Sequence, residues 1–553
     1  MARSRLIKIF QSFANDCALS DAIGISPGKF RDLKKQEITR RSLMAASGAV
    51  VANSILPLNS ARSAFVSKNS NVKVAIVGGG IAGLAAALTL HENGVAASLF
   101  EASGRIGGRI HSLSKFWEDG QVSEWCGELI DSNHKTILKL ANRYKLQMDN
   151  VLLSEPKGTN ETFWIKGAPY SVEEAYDDFR KLWPSLSADL KAAGYPTLWN
   201  SFTREGQILD QMSIYQWIDT RVQGGHNSLM GCLLDVAYTA EYGAETSDQS
   251  ALNLIYLLGY QPNNGSLSLF GLSDEAYHIN GGNDKLTQAI VDDLSQTGSL
   301  IRLEKNYKLI SIAKTNNQVS LTFSSPSGKQ TALFDLVILA LPFSILRKLD
   351  YRNANFDQKK VMAITQIGSG RNAKLQMQFA SRYWNDVPHA SSGEVFTDLG
   401  FQSTWETSRA QSGNRGLLVN YSGGNVAESY KPSTPYSLYD GKGLNDKYIS
   451  RSVSNFLSKL SFIFPGIGSR WNNRAALSVP FLDPNLNIAY SYWRVGQYTS
   501  FAGYERMPQG PIHFAGEHCS IDFQGFMEGG ASEGIRAGLE VLEALGIKGT
   551  SPV

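Results

Sequence analysis

Cysteine is scarce in this chain: four residues in 553, at Cys17, Cys126, Cys232 and Cys519, with no CxxC pair among them. That spacing supports neither a structural zinc site nor a disulfide framework. Histidine is equally thin, at eight residues, and no HxH or HExxH pattern occurs, so no metal centre is expected. Charge of one sign is missing too. The net charge of +3 gives no reason to expect nucleic acid as a partner. No stretch reaches the roughly 18 consecutive apolar residues of a spanning helix, so stable membrane insertion is not expected. What is present is globular: 42% hydrophobic and 19% charged residues, in a chain long enough for two large domains.

The first 58 residues read as a prefix with a targeting signal. Thr39-Arg40-Arg41-Ser42-Leu43-Met44 is a twin-arginine pattern, followed by a mildly apolar stretch from Met44 to Leu58. Its length suits the hydrophobic region of a signal. The expected partner is the twin-arginine export machinery, and the expected location periplasmic or extracellular. The alternative is an ordinary amphipathic N-terminal helix and a cytoplasmic protein. The prefix before the arginines is long, and no clean A-x-A site follows. Residues 59–71, rich in Ser and Asn, read as a linker.

Val72 to Val77 is a short, mostly apolar β-branched run, as a buried parallel strand should be. Gly78-Gly79-Gly80-Ile81-Ala82-Gly83 follows and matches G-x-G-x-x-G. A helix-like segment runs to Glu92, and a second strand, Ala97 to Phe100, is closed by Glu101. Gly78 permits the tight turn, Gly80 the approach of a pyrophosphate, and Gly83 close packing of helix on strand. The helix N-terminus then faces the phosphates. Glu101, near the expected spacing of about 20 residues, can accept hydrogen bonds from a ribose. Strand, glycines, helix, strand and acid in that order make a dinucleotide-binding unit.

The next residues separate FAD from NAD. Glu101-Ala102-Ser103-Gly104-Arg105-Ile106-Gly107-Gly108-Arg109 resembles the E-A-x-x-R-x-G-G-R signature of the flavin-containing amine oxidase family, which includes monoamine, polyamine and L-amino-acid oxidases. Arg105 and Arg109 supply cations beside a pyrophosphate; Gly107 and Gly108 permit close backbone approach. At the other end, Ile512-His513-Phe514-Ala515-Gly516-Glu517 and Gly525-Phe526-Met527-Glu528-Gly529-Gly530-Ala531 resemble the family's closing motifs. A helix with apolar positions Ala531, Ile535, Leu539, Leu542 and Leu545 follows, with Gly546 as its stop. Between the ends, Tyr277 to Gly282 and Lys374 with Trp384 also resemble family segments, and 124–134 resembles bacterial twin-arginine-exported members.

The resemblance implies an α/β chain, α+β overall. Its Rossmann-type FAD-binding domain, of glutathione-reductase-like type, is discontinuous over 72–150, 278–344 and 491–546. A second, substrate domain of antiparallel sheet plus helices takes 151–277 and 345–490. It implies that Glu517 bonds the ribityl or pyrophosphate region and that the helix opening at Met527 points at the flavin. Tyr498 and Phe526 become the two aromatics beside the flavin, and Lys374 the lysine holding a water near flavin N5. Gln497 stands where monoamine oxidases attach the flavin through cysteine, so FAD is expected to be non-covalent.

The implied reaction is oxidation of a primary or secondary amine or an L-amino acid, with O2 as acceptor, giving H2O2, an imine that hydrolyses, and NH3. Ile130 stands where some amino-acid oxidases carry arginine; Arg494 and Arg371 are the substitute anchors considered for a substrate carboxylate. Glu128 could face a cationic substrate group or be structural, and Tyr492 and Trp493 could join the aromatic pair or be core. The rival readings are a protoporphyrinogen-oxidase or desaturase-type flavoenzyme and a non-enzymatic flavoprotein. A homo-oligomer is left open. Within the two domains, the sequence also predicts capping boxes at Ser171 and Ser213, a hairpin about Asn316-Asn317, a returning strand in 334–342, and a surface loop over 423–446.

Overall fold

The computed structural model describes residues 72–258, 262–263, 266–267, 273–386 and 388–553. The twin-arginine pattern, the apolar stretch after it and the linker fall outside the described residues.

The chain enters the fold through β1 (Val74–Val77), α1 (Ile81–Glu92) and β2 (Ala97–Glu101). All four β1 side chains are buried, because the strand lies mid-sheet and is covered on both faces. A five-stranded parallel sheet runs in the order 301–305, β2, β1, 336–339, 512–514. Register is unbroken along β1: Val74 pairs Ala97 on one side and Leu336 on the other. The strand Leu336–Leu339 is the returning strand expected between Phe334 and Pro342. The C-terminal helix Met527–Ala544 packs on α1, and Gly534 explains how closely. A Cβ there would lie 2.1 Å from the Ala82 carbonyl oxygen.

A second sheet of eight mostly antiparallel strands runs in the order 436–439, 471–478, 372–379, 416–423, 403–406, 391–397, 160–165, 168–170. Helices from 172 to 258 cover it. Two of them begin with complete capping boxes: Ser171 with Glu174, and Ser213 with Gln216. The hairpin forms as expected, with Lys308–Thr315 antiparallel to Gln318–Ser325 and Asn316 at φ +55° between them.

Two local expectations need correction. Residues 423–446 are not a plain surface loop: Gly424–Glu428 is helical and Tyr436–Tyr439 is a strand at the edge of the eight-stranded sheet. The short strand is held by pairing with Ala475–Ser478, a tertiary partner that its own polar surroundings do not announce. The strand Asp350–Asn353 falls beyond 344, the expected end of the second cofactor-domain segment, yet it pairs with the Lys308–Thr315 strand. Among the described residues, no helix is long and apolar enough to cross a membrane.

Candidate active site

A cleft of about 460 Å³ opens at the C-terminal ends of the parallel strands. This is where an open α/β sheet places its ligand. The β1–α1 turn forms its floor. Gly78, at φ +110°, makes the turn, and a Cβ on Gly83 would lie 1.9 Å from the Gly78 carbonyl oxygen. Only glycine lets α1 start this close to β1. Gly80 stands at the N-cap of α1 and no side chain caps that helix end. Its first-turn N–H groups therefore face the cleft without a side-chain acceptor, as an anion site requires. The loop from Arg105 to Arg109 closes over the turn through a bond from Gly107 N to the Gly79 carbonyl, 2.8 Å, while Gly108 faces Gly80.

Charged groups ring the cleft, and most are already engaged. Glu101 accepts from Gly79 N at 2.9 Å and from the Ser103 N–H and hydroxyl, each at 2.8 Å. A carboxylate has about four lone-pair sites, so acceptor capacity remains for a ribose. Arg105 donates to the carbonyls of Gly108 (2.6 Å) and Ile110 (3.1 Å), holding the glycine loop in shape. Arg109 is bonded to Glu517 at 2.8 Å and to the Ala489 carbonyl at 3.0 Å. Glu517 is buried and also accepts from Ser491 and from Gly525 N. Burial pushes its carboxyl up, but Arg109 and the neighbouring donors outweigh that and hold it below the usual carboxylate range.

The C-terminal helix opens on the same cleft. Phe526 is its N-cap and Met527 its first residue; both line the cleft, and no side chain caps this end either. Glu528 turns away, accepting from Thr136 N and Ile137 N at 2.9 Å each, and so caps the helix Lys135–Arg143. Two uncapped helix ends, a glycine cradle and paired arginines thus converge on one cleft. This donor set fits the pyrophosphate and sugar hydroxyls of FAD.

The remaining expected residues are placed as follows. Tyr498 and Phe526 line different cavities. Tyr498 lies in an aromatic cavity with Tyr195, Tyr242, Tyr256 and Trp493. The loop 520–526 divides the two spaces: Ile521 and Gln524 line the aromatic cavity, while Gly525 and Phe526 line the cleft. The Tyr498 hydroxyl donates to Asn253 Oδ1 at 3.0 Å, and its ring packs edge-on to Tyr256. Its short helix is held by the buried Asp210 carboxylate, which accepts from Thr499 N (2.9 Å), the Thr499 hydroxyl (2.8 Å) and the Ser250 hydroxyl (2.9 Å). Tyr492 instead donates to Asp248, outside the aromatic cavity.

Lys374 is buried, and its ammonium ends on protein oxygens: Glu128 at 2.7 Å, the Cys126 carbonyl at 2.8 Å and the Glu124 carbonyl at 3.4 Å. Through these it holds the 124–128 segment, whose Gly127 lines the cleft. Glu128 also accepts from Trp405 Nε1 at 2.9 Å, so both of its oxygens are bonded to protein groups. Arg371 pairs with Glu428 and Arg494 with Asp248, both on the surface, so neither is placed in the aromatic cavity. Asp210, Asn253 and Ser491 are support residues that no local motif marks, and Glu528, inside the closing motif, turns out to cap a neighbouring helix.

The family model for flavin containing amine oxidoreductase matches residues 81–542. Flavin-containing amine oxidase B of Bos taurus is 23% identical over 503 residues, covering 86% of this chain and 87% of that protein. An L-amino-acid oxidase of Vipera ammodytes ammodytes is 22% identical over 502 residues, covering 86% and 94%. Among solved structures, cyclohexylamine oxidase from Brevibacterium oxydans superposes with a TM-score of 0.70 at 19% identity, covering 86% of this chain and 99% of that one.

Proposed function

The chain belongs to the flavin containing amine oxidoreductase family, and from that premise we propose that it is an FAD-dependent oxidase of amines that carry no carboxylate beside the nitrogen. Bound FAD supplies the two-electron acceptor for the C–N bond, with O2 as the final oxidant giving H2O2, and the imine product hydrolyses to release ammonia. The protein's part is to bind, orient and exclude water. The N-termini of α1 and of the C-terminal helix face the cofactor's negative charge. Glu101 and Glu517 would accept from its hydroxyls, and Arg105 and Arg109 would hold the loop over it. Gln497 occupies the position of the attachment cysteine, so the cofactor is held without a covalent bond.

The observation that carries the substrate reading is the aromatic cavity. Among the described residues that line it there is no arginine, lysine or histidine. Its one acid, Glu505, is buried, and burial pushes its carboxyl up to about 8, leaving it neutral at pH 7. Aromatic walls and a neutral acid suit an uncharged amine; a substrate carboxylate would be buried there without a counter-charge, which is strongly unfavourable. A peroxide assay on matched pairs tests this: phenethylamine against L-phenylalanine, and isoamylamine against L-leucine. The amine of each pair should be turned over with the higher kcat/KM by at least about tenfold, equal to about 1.4 kcal/mol of barrier. Preference for the amino acids would overturn the substrate class.

Export is part of the same proposal. Arg40 and Arg41 form the pair that a twin-arginine pathway reads, and lysine keeps the charge but not the guanidinium geometry. Replacing both with lysine should abolish periplasmic accumulation in a fractionation experiment; undiminished accumulation would remove the export reading.

A further inference from the structure

His518 follows Glu517 and lines the same cleft as Gly80 and Arg109. It is only 1% exposed, yet neither ring nitrogen has a hydrogen-bond partner. Buried polar groups are normally paired, and an exception points to a missing partner. The cleft's other polar groups make protein bonds: Glu517 is bonded through both oxygens, and Arg105 and Arg109 reach backbone carbonyls. His111 Nδ1 also lacks a partner, but that ring is only half-buried.

The ring is fixed in place. Phe343 packs against it at 4.4 Å between centroids. Gly516 leaves the space it needs, since a Cβ there would lie 2.5 Å from His518 Cε1. Burial first, then Arg109, Lys360 and Arg536, lower its pKa to about 4 against the pull of Glu517. The imidazole is therefore neutral at pH 7, with one N–H donor and one acceptor nitrogen. It brings a donor to the cleft without adding a third cation beside Arg105 and Arg109.

We propose that His518 is a cofactor-contacting residue whose ring N–H donates a hydrogen bond to an oxygen of the bound dinucleotide. The inference rests on the FAD reading above. The test is the FAD dissociation constant of the full chain, measured by quenching of flavin fluorescence as apoprotein is titrated, for wild type, His518→Phe and His518→Gln. Phenylalanine keeps the ring and removes the donor, and should weaken binding by about tenfold or more; glutamine restores an N–H and should stay within about threefold of wild type. Equal affinity in wild type and His518→Phe would reduce the histidine to packing against Phe343 and overturn the proposal. If the phenylalanine variant does not fold, 15N-histidine-labelled wild type decides: the His518 ring resonances should shift on adding FAD, and unchanged resonances overturn the proposal. A wild-type protein that binds no FAD is a different result, and sinks the cofactor reading itself.

Discussion

At Lys374 an ammonium and the Glu128 carboxylate meet at 2.7 Å, with both side chains no more than 3% exposed. Such a pair contributes little as a pair, but breaking it leaves an uncompensated buried charge, at a cost of about 3–5 kcal/mol. Lys374→Met should therefore lower the free energy of unfolding by about that amount, read from urea denaturation. Lys374→Met/Glu128→Gln should recover at least half, because the amide oxygen still accepts from Trp405. Burial raises the Glu128 carboxyl, Lys374 outweighs it, and the folded pKa lies below the ordinary 4.5. A depressed carboxyl stabilises above its unfolded pKa and loses that contribution as pH falls through the folded value. The gap between wild type and Lys374→Met should thus narrow below pH 4.5. An additive double mutant with a pH-independent gap would show that the ion pair does not couple. This pairing was not legible in the sequence: its partners lie 246 residues apart, and no local pattern joins them. Gly78, Gly83 and Glu101 were legible, because the backbone of one turn dictates them.

The contact of the C-terminal helix with α1 places both uncapped helix ends at the cleft. Gly534→Ala sets two effects against each other. Alanine gains roughly 1 kcal/mol over glycine in a helix interior. Its Cβ would sit 2.1 Å from the Ala82 carbonyl oxygen, a backbone atom that cannot step aside. Overpacking of this kind costs about 1–3 kcal/mol. The clash should win, giving a net loss in Tm and weaker FAD retention on gel filtration; a stabilised variant that keeps its flavin would contradict the packing account. At this scale the capping boxes, the hairpin and the C-terminal helix were readable from cap residues and periodicity. The Tyr436–Tyr439 strand was not, since four residues in a polar stretch become a strand only by pairing with a distant one.

Across the whole molecule, a five-stranded parallel sheet carries the cofactor cleft, while the aromatic cavity is lined by residues from helices and loops outside both large sheets. That the parallel sheet draws strands from both ends of the chain follows from the motifs at both ends. The position of Asp350–Asn353 and the separation of Tyr498 from Phe526 by the 520–526 loop depend on how distant segments pack. The proposed reaction requires that the substrate amine reduce the bound FAD. Anaerobic mixing of the purified, flavin-loaded protein with phenethylamine, while the flavin's visible absorption is followed, reads that step directly. The band should bleach and return on admitting O2, with one H2O2 formed per flavin reduced. A flavin-loaded protein whose band no amine bleaches would contradict the two-cavity oxidase.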